Sequence, residues 1–298
     1  MHSKGILPTT FLIHSVDSMS DKKEDEELYL KQLANRVEES QLESTFFRKV
    51  EGQNHTHFSS VIKEIKDAEE NTHLVKIRPP LFLLSGILSN ISRKLSGMEN
   101  LKILDNKRWQ EREVEQLRSL HPELFSEETD YENAFLVEKI QGEVAFEILS
   151  SEEFSKDEKI DVIKKMIKGL RNIHNKDLYH GEPTTQNCIL GDDGDIYWID
   201  FEIEYHEDLS EMEREAKDLE QLTLSILGAF EEEGDVGILD SDLVEMIFEI
   251  YGDQDVISTF TNNPSLPLFG PHRVFQLSFV SLKRFYQVQI NLIDYLRE

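Results

Sequence analysis

The stretch that decides the reading runs Leu178-Tyr179-His180-Gly181-Glu182-Pro183-Thr184-Thr185-Gln186-Asn187-Cys188-Ile189-Leu190, then Gly191-Asp192-Asp193-Gly194-Asp195, then Ile196-Tyr197-Trp198-Ile199-Asp200-Phe201-Glu202. Two apolar runs flank a Gly/Asp turn, which predicts a β-hairpin. Glu182 and Asn187 lie on the loop leading into it, and Asp200 sits at its far end. One edge of the hairpin therefore gathers an acid, an amide oxygen and a second acid. Hard oxygen donors of this kind suit Mg²⁺, which takes one or two carboxylates and completes its shell with phosphate oxygens and water.

Upstream of the loop, Ser155 is a candidate N-cap for a helix through Ile160, Ile163, Ile167 and Leu170 to His174. Ala134-Phe135-Leu136-Val137-Glu138 reads as a strand before Gly142, and residues 106–120 read as a helix ending at His121-Pro122. Three segments further back, at 45–50, 58–66 and 73–77, carry aromatic and β-branched residues between polar turns, which predicts an antiparallel meander stopped by Pro79-Pro80. Beyond Asp200 the chain is mainly helical, over about 212–230, 241–251 and 274–296. The change from strand-rich to helix-rich falls near residue 140. Residues 1–40 form an acidic extension whose second half is dense in charge and carries Leu28, Leu30, Leu33 and Val37 at helical spacing. Met19-Ser20-Asp21-Lys22 resembles an ordinary protein start, which makes Met19 a candidate initiator.

The 298 residues include 32 Lys+Arg against 59 Asp+Glu, a formal net charge of −27, with 39% hydrophobic residues. That apolar content suffices for a core. The acid excess disfavours direct nucleic-acid binding, which needs clustered cations to displace counterions, and disfavours anionic membrane surfaces for the same reason. Cys188 is the only cysteine, so no intramolecular disulfide forms and no Cys-rich zinc site exists. No apolar run approaches the ~20 residues of a spanning helix, and the N-terminus lacks a signal-peptide pattern. The expectation is a cytoplasmic protein.

His-Gly-Glu, four residues, Asn, and an Ile-Asp-Phe whose Asp lies thirteen residues beyond that Asn resemble the catalytic loop and metal-binding Asp of the protein-kinase-like fold. Thr184-Thr185 and Glu215-Ala216-Lys217-Asp218-Leu219 are most similar to the small atypical kinase/ATPase subunit of the KEOPS (EKC) tRNA-modification complex. RIO kinases, lipopolysaccharide kinases and aminoglycoside phosphotransferases are more distant likenesses. The resemblance covers roughly residues 45–230.

It implies an α+β, bilobal protein-kinase-like fold, with an antiparallel-sheet N-lobe at 41–138 and a helical C-lobe at 139–298. It implies phosphoryl transfer from ATP with Mg²⁺, or ATP hydrolysis, with autophosphorylation as one outcome. Lys76 would hold the α/β-phosphates and Glu113 would orient Lys76. Gly52, in the turn at 51–56, would lie against the phosphates. The main chain from Glu138 to Ile140 would take the adenine edge. Asn187 and Asp200 would bind Mg²⁺, Glu182 would serve as base, and Asp218 would brace the catalytic loop. A partner in a protein complex is also implied.

The chain departs from the family pattern in having Glu182 where Asp is usual, one glycine in the 51–56 turn, and Glu202 where protein kinases have the glycine of Asp-Phe-Gly. Only eighteen residues separate Asp200 from Asp218, which argues against a peptide kinase with a long activation segment. A second reading is a pseudokinase scaffold with weak or no nucleotide binding, and a third an acidic interaction module without a ligand. Lys102, nearer to Glu113 in sequence, rivals Lys76. The run Glu111-Arg112-Glu113 with Glu115 also reads as a solvated helix face. His180 and His174 read as buried scaffold residues, Cys188 as a core residue, and the last helix as core. His55, His57 and His73 lack the partner pattern of a metal site.

Overall fold

The computed structural model describes residues 61–66, 72–78, 101–231, 237, 239–262 and 281–296. The acidic extension, the expected strand at 45–50, the turn containing Gly52 and the segment 274–280 lie outside the described residues.

Alternation in Val-Ile-Lys-Glu-Ile-Lys and Thr-His-Leu-Val-Lys-Ile gives strands β1 (Val61–Lys66) and β2 (Thr72–Ile77), paired antiparallel with Ile62 opposite Lys76. The sheet continues through β5 (Ala134–Glu138) to β4 (Ser126–Glu128), in the order β1-β2-β5-β4, every pair antiparallel. Ile65, Val75, Ile77, Ala134 and Leu136 form a small core on one face, closed by Phe125. On the other, Lys76 lies opposite Phe135. Helix α1 (Asn106–Leu120) packs there, its Trp109 ring 5.2 Å from that of Phe135. Asp105 caps α1 by accepting from the Arg108 amide at 2.9 Å.

Two smaller sheets follow. Strand β3 (Leu101–Ile103) pairs antiparallel with β9 (Ile203–Tyr205), a long-range pairing that crosses the strand-to-helix change near residue 140. Strand β6 (Gly142–Val144), β7 (Cys188–Gly191) and β8 (Ile196–Trp198) make the third sheet, and β7–β8 is the hairpin expected from the sequence.

The remaining helices are α2 (Ala145–Ser150), α3 (Lys156–His174), α4 (Glu211–Gly228), α5 (Asp240–Tyr251), α6 (Gln254–Asn262) and α7 (Leu282–Tyr295). Capping boxes start α3, with Ser155 and Glu158, and α4, with Ser210 and Glu213. The main core gathers Ile163, Met166 and Leu170 of α3, Leu219 and Leu222 of α4, and Phe285, Val288 and Leu292 of α7. Arg284 pins α7 by gripping both oxygens of Asp240 at 2.8 and 2.9 Å and the carbonyls of Leu227 and Phe230. The architecture is mixed α+β with antiparallel sheets, and among the described residues no helix is long and apolar enough to cross a membrane.

Candidate functional site

Strand β2, helix α1 and the end of the hairpin meet at one ammonium group. Lys76 Nζ donates to Glu113 Oε1 at 2.6 Å and to Asp200 Oδ1 at 2.7 Å, joining positions 37 and 124 residues away. Glu113 reaches inward because it falls between Trp109 and Leu117, one turn from each on the buried stripe of α1. The solvated-face reading of this run therefore fails for Glu113, which is 1% exposed. Lys102, the rival lysine, lies on β3 opposite Glu204.

Burial alone would push the Lys76 ammonium down, but the charges of Asp200, Glu113 and Glu202 prevail and hold its proton above the usual lysine range. Burial works the other way on Glu113, raising it against the pull of Lys76. Glu202 is pushed up to about 8, first by burial and then by Asp200, with Glu182 adding to the repulsion and Lys76 and Arg78 opposing it. Arg78, buried two residues beyond Lys76, approaches Glu202 at 3.5 Å, donates to the Leu104 carbonyl at 2.9 Å and stacks on Trp109.

The hairpin sets the other members. Asn187 and Ile199 are backbone partners at its base, with the Ile199 amide donating to the Asn187 carbonyl at 3.0 Å, so Asp200 emerges beside Asn187. Asp200 has φ +69°, a left-handed conformation that costs a non-glycine residue about 1–3 kcal/mol and concentrates at functional sites. Asn187 Nδ2 donates to the Glu182 carbonyl at 2.9 Å, which anchors the amide and makes Oδ1 the atom that could meet a cation. Glu182 is half-buried, and its own amide points at His180 Nδ1, 3.3 Å away. Gly181 has φ +92°, and a Cβ there would collide with the Ile203 carbonyl, so only glycine lets the loop pass this close to β9.

Asp218 holds the loop from beneath. It accepts from the amides of His180 at 2.7 Å and Gly181 at 3.0 Å and from the Tyr205 hydroxyl at 2.7 Å, with His174 Nε2 at 3.2 Å. The bracing expected of it is what these bonds do. His180 is fully buried between Trp198 and Phe201, and burial lowers its pKa to about 4. His174 also bonds Tyr251, and Cys188 is buried with its thiol pushed up by burial, both as scaffold residues. His73 is buried edge-on to Phe125; His55 and His57 lie outside the described residues.

The segment Glu138–Ile140 differs from the expectation in one respect. The Glu138 amide donates to the Phe125 carbonyl at 2.8 Å and the Lys139 amide to Thr72 at 3.0 Å, while the Glu138 carboxylate accepts from the Phe125 amide at 3.2 Å. Of the expected amides, that of Ile140 has no backbone partner among the described residues. Antiparallel register with β4 and β2 consumes the other two.

Among the described residues no group of three His, Cys, Asp or Glu side chains has the arrangement of a metal cage. One carboxylate and one amide oxygen at a hairpin end, with further acids near, instead fit a hard cation that keeps its waters and takes phosphate oxygens. Two residues beside this site were missed in the sequence, Arg78 and Arg112, and Glu202 was read there only as a departure from the family's glycine. Period-2 alternation already puts Arg78 on the Lys76 face of its strand. No family model matches the chain, and no curated protein matches it.

Proposed function

We propose that the chain has a bilobal protein-kinase-like fold and acts as an ATP- and Mg²⁺-dependent phosphotransferase or ATPase of the KEOPS-kinase-like sort. The observation that carries this reading is the Lys76 ammonium meeting Glu113 and Asp200 at once, contributed by three separate elements. Chance burial of a lysine seldom assembles two carboxylates from positions so far apart. The division at 138/139, the N-lobe sheet and the helical C-lobe belong to the same proposal.

In this mechanism Lys76, kept protonated by its acid partners, binds the α/β-phosphates, and Glu113 fixes its direction. The Ile140 main chain takes the adenine edge. Asn187 and Asp200 would hold Mg²⁺, which would supply positive charge against the phosphate oxygens. Glu182 orients and deprotonates the acceptor hydroxyl or water. Positioning supplies most of such a rate enhancement, which is why a rigidly anchored Asn187 and a braced loop matter.

The test is phosphate release from ATP, compared with Asp200→Ala. Metal-dependent release at least tenfold above the variant supports the catalyst; equal backgrounds overturn it. The direct Lys76–Asp200 contact favours one competitor, a pseudokinase scaffold in which these groups satisfy each other, and ATP failing to raise the melting temperature with or without Mg²⁺ would support that instead.

A further inference from the structure

Arg112, next to Glu113, has none of the roles above. It is 5% exposed, and among the described residues its guanidinium meets no carboxylate. Its donors go to main-chain carbonyls: Nε to Phe201 at 3.0 Å, and Nη2 to Tyr179 at 3.0 Å and more loosely to His180 at 3.4 Å. The Tyr179 ring lies against it, 4.5 Å from the guanidinium carbon.

Burying a charge without a counter-charge is a poor stability device, since a well-packed apolar residue of similar volume is often as good or better. Other arginines here do simpler work. Arg118 puts both Nε and Nη2 on the single carbonyl of Ser126. Arg284 grips the carboxylate of Asp240. Arg112 instead joins two loops of the site. Phe201 directly follows Asp200, and His180 stands two residues before Glu182. The planar fork of a guanidinium can fix two such segments relative to each other, which a single ammonium cannot. It does so from the helical turn whose next residue holds Lys76.

We infer that Arg112 is a positioning residue that sets the Glu182 loop against the Asp200 loop and ties both to the turn of α1 that holds Lys76. The inference rests on the phosphotransfer reading and adds to it a third tether. Lys76, Asp200 and Glu182 thereby move as one unit, because α1 cannot shift without breaking the carbonyl bonds to both loops. Glu182 carries one methylene more than the usual Asp, so loop spacing is the quantity that decides whether its carboxylate reaches an acceptor, and misplacement of ~1 Å can cost ~100-fold in rate.

The experiment compares Arg112→Lys and Arg112→Met with Arg284→Lys, measuring melting temperature, kcat and KM for ATP per folded molecule, and amide exchange. Arg112→Lys is expected to lower kcat about 10- to 100-fold while KM for ATP stays within about threefold, with Arg112→Met at least as impaired. Exchange should rise together at 179–182 and 201–204. Arg284→Lys should lower the melting temperature and leave kcat unchanged. A kcat for Arg112→Lys equal to that of the parent, or exchange rising in only one loop, overturns the inference. The unmodified protein supplies an arm that needs no variant: amides of both loops should open with α1 as one unit, and separate opening overturns the inference. A parent protein that releases no phosphate above the Asp200→Ala background sinks the phosphotransfer reading itself, whereas an active parent with an indifferent Arg112→Lys sinks only the tether.

Discussion

Asp218 and Asp200 lie eighteen residues apart and face opposite electrostatic situations. Asp218 is fully buried yet ionised below the usual carboxylate range: burial pushes it up, and hydrogen bonds, first that of His174 and then that of the Tyr205 hydroxyl, overcome that push. Among the described residues, Asp200 shares its surroundings with Glu113 and Glu202 and with the cations Lys76 and Arg78, and burial together with the charge of Asp200 pushes Glu202 up to about 8. One carboxylate is a finished joint. The other sits among repelling carboxylates, where an added cation would lower the energy of the group.

The largest effect should come from the joint. Asp218→Asn leaves the His180 and Gly181 amides and Tyr205 facing an amide, and should cost about 3–5 kcal/mol in urea unfolding, as removal of a buried charged partner does. Asp200→Asn is the counterpart: phosphate release should fall at least ~100-fold, while the melting temperature holds or rises, because a repelling charge has been removed from the cluster. A loss of stability matching that of Asp218→Asn would erase the distinction between the two aspartates. Glu113→Gln should be intermediate, raising KM for ATP about tenfold as Lys76 loses its direction, with kcat less affected. A last effect is read as a slope with pH. His180 stays neutral in the fold to about pH 4 and takes up a proton near pH 6.5 when unfolded. Its contribution is therefore complete above pH 6.5 and lost as pH falls towards 4. Melting curves of His180→Gln should decline less between pH 7 and 4 than those of the parent.

The contrast was only partly legible in the sequence. Helix α1 at 106–120 and the strand at 134–138 begin and end where the sequence predicts, because Asp105, the apolar periodicity and the following His-Pro are local signals. The hairpin was readable from its Gly/Asp turn. The pairing of β3 with β9 was not, since strands of three residues a hundred positions apart carry no local signature. Helix α6, just past Gly252, and the short β6 also escaped. Within the site, Glu182, Asn187 and Asp200 were read from their spacing and Lys76 and Glu113 from the family resemblance, and Lys76 rather than Lys102 is the lysine whose ammonium meets Glu113. Arg112 was not, because a charged residue in a charged run looks solvated until the tertiary structure supplies carbonyls for it. The Glu138 amide was misjudged because strand register, which spends that donor on Phe125, is a property of the sheet and not of the residue.

The most direct test of the central claim is calorimetric titration of ATP into the purified full chain, with and without Mg²⁺, beside Asp200→Asn. The account predicts saturable binding by the parent that strengthens at least tenfold with Mg²⁺ and a variant that gains nothing from the metal. No heat of binding in either condition, or equal metal dependence in both proteins, would contradict it.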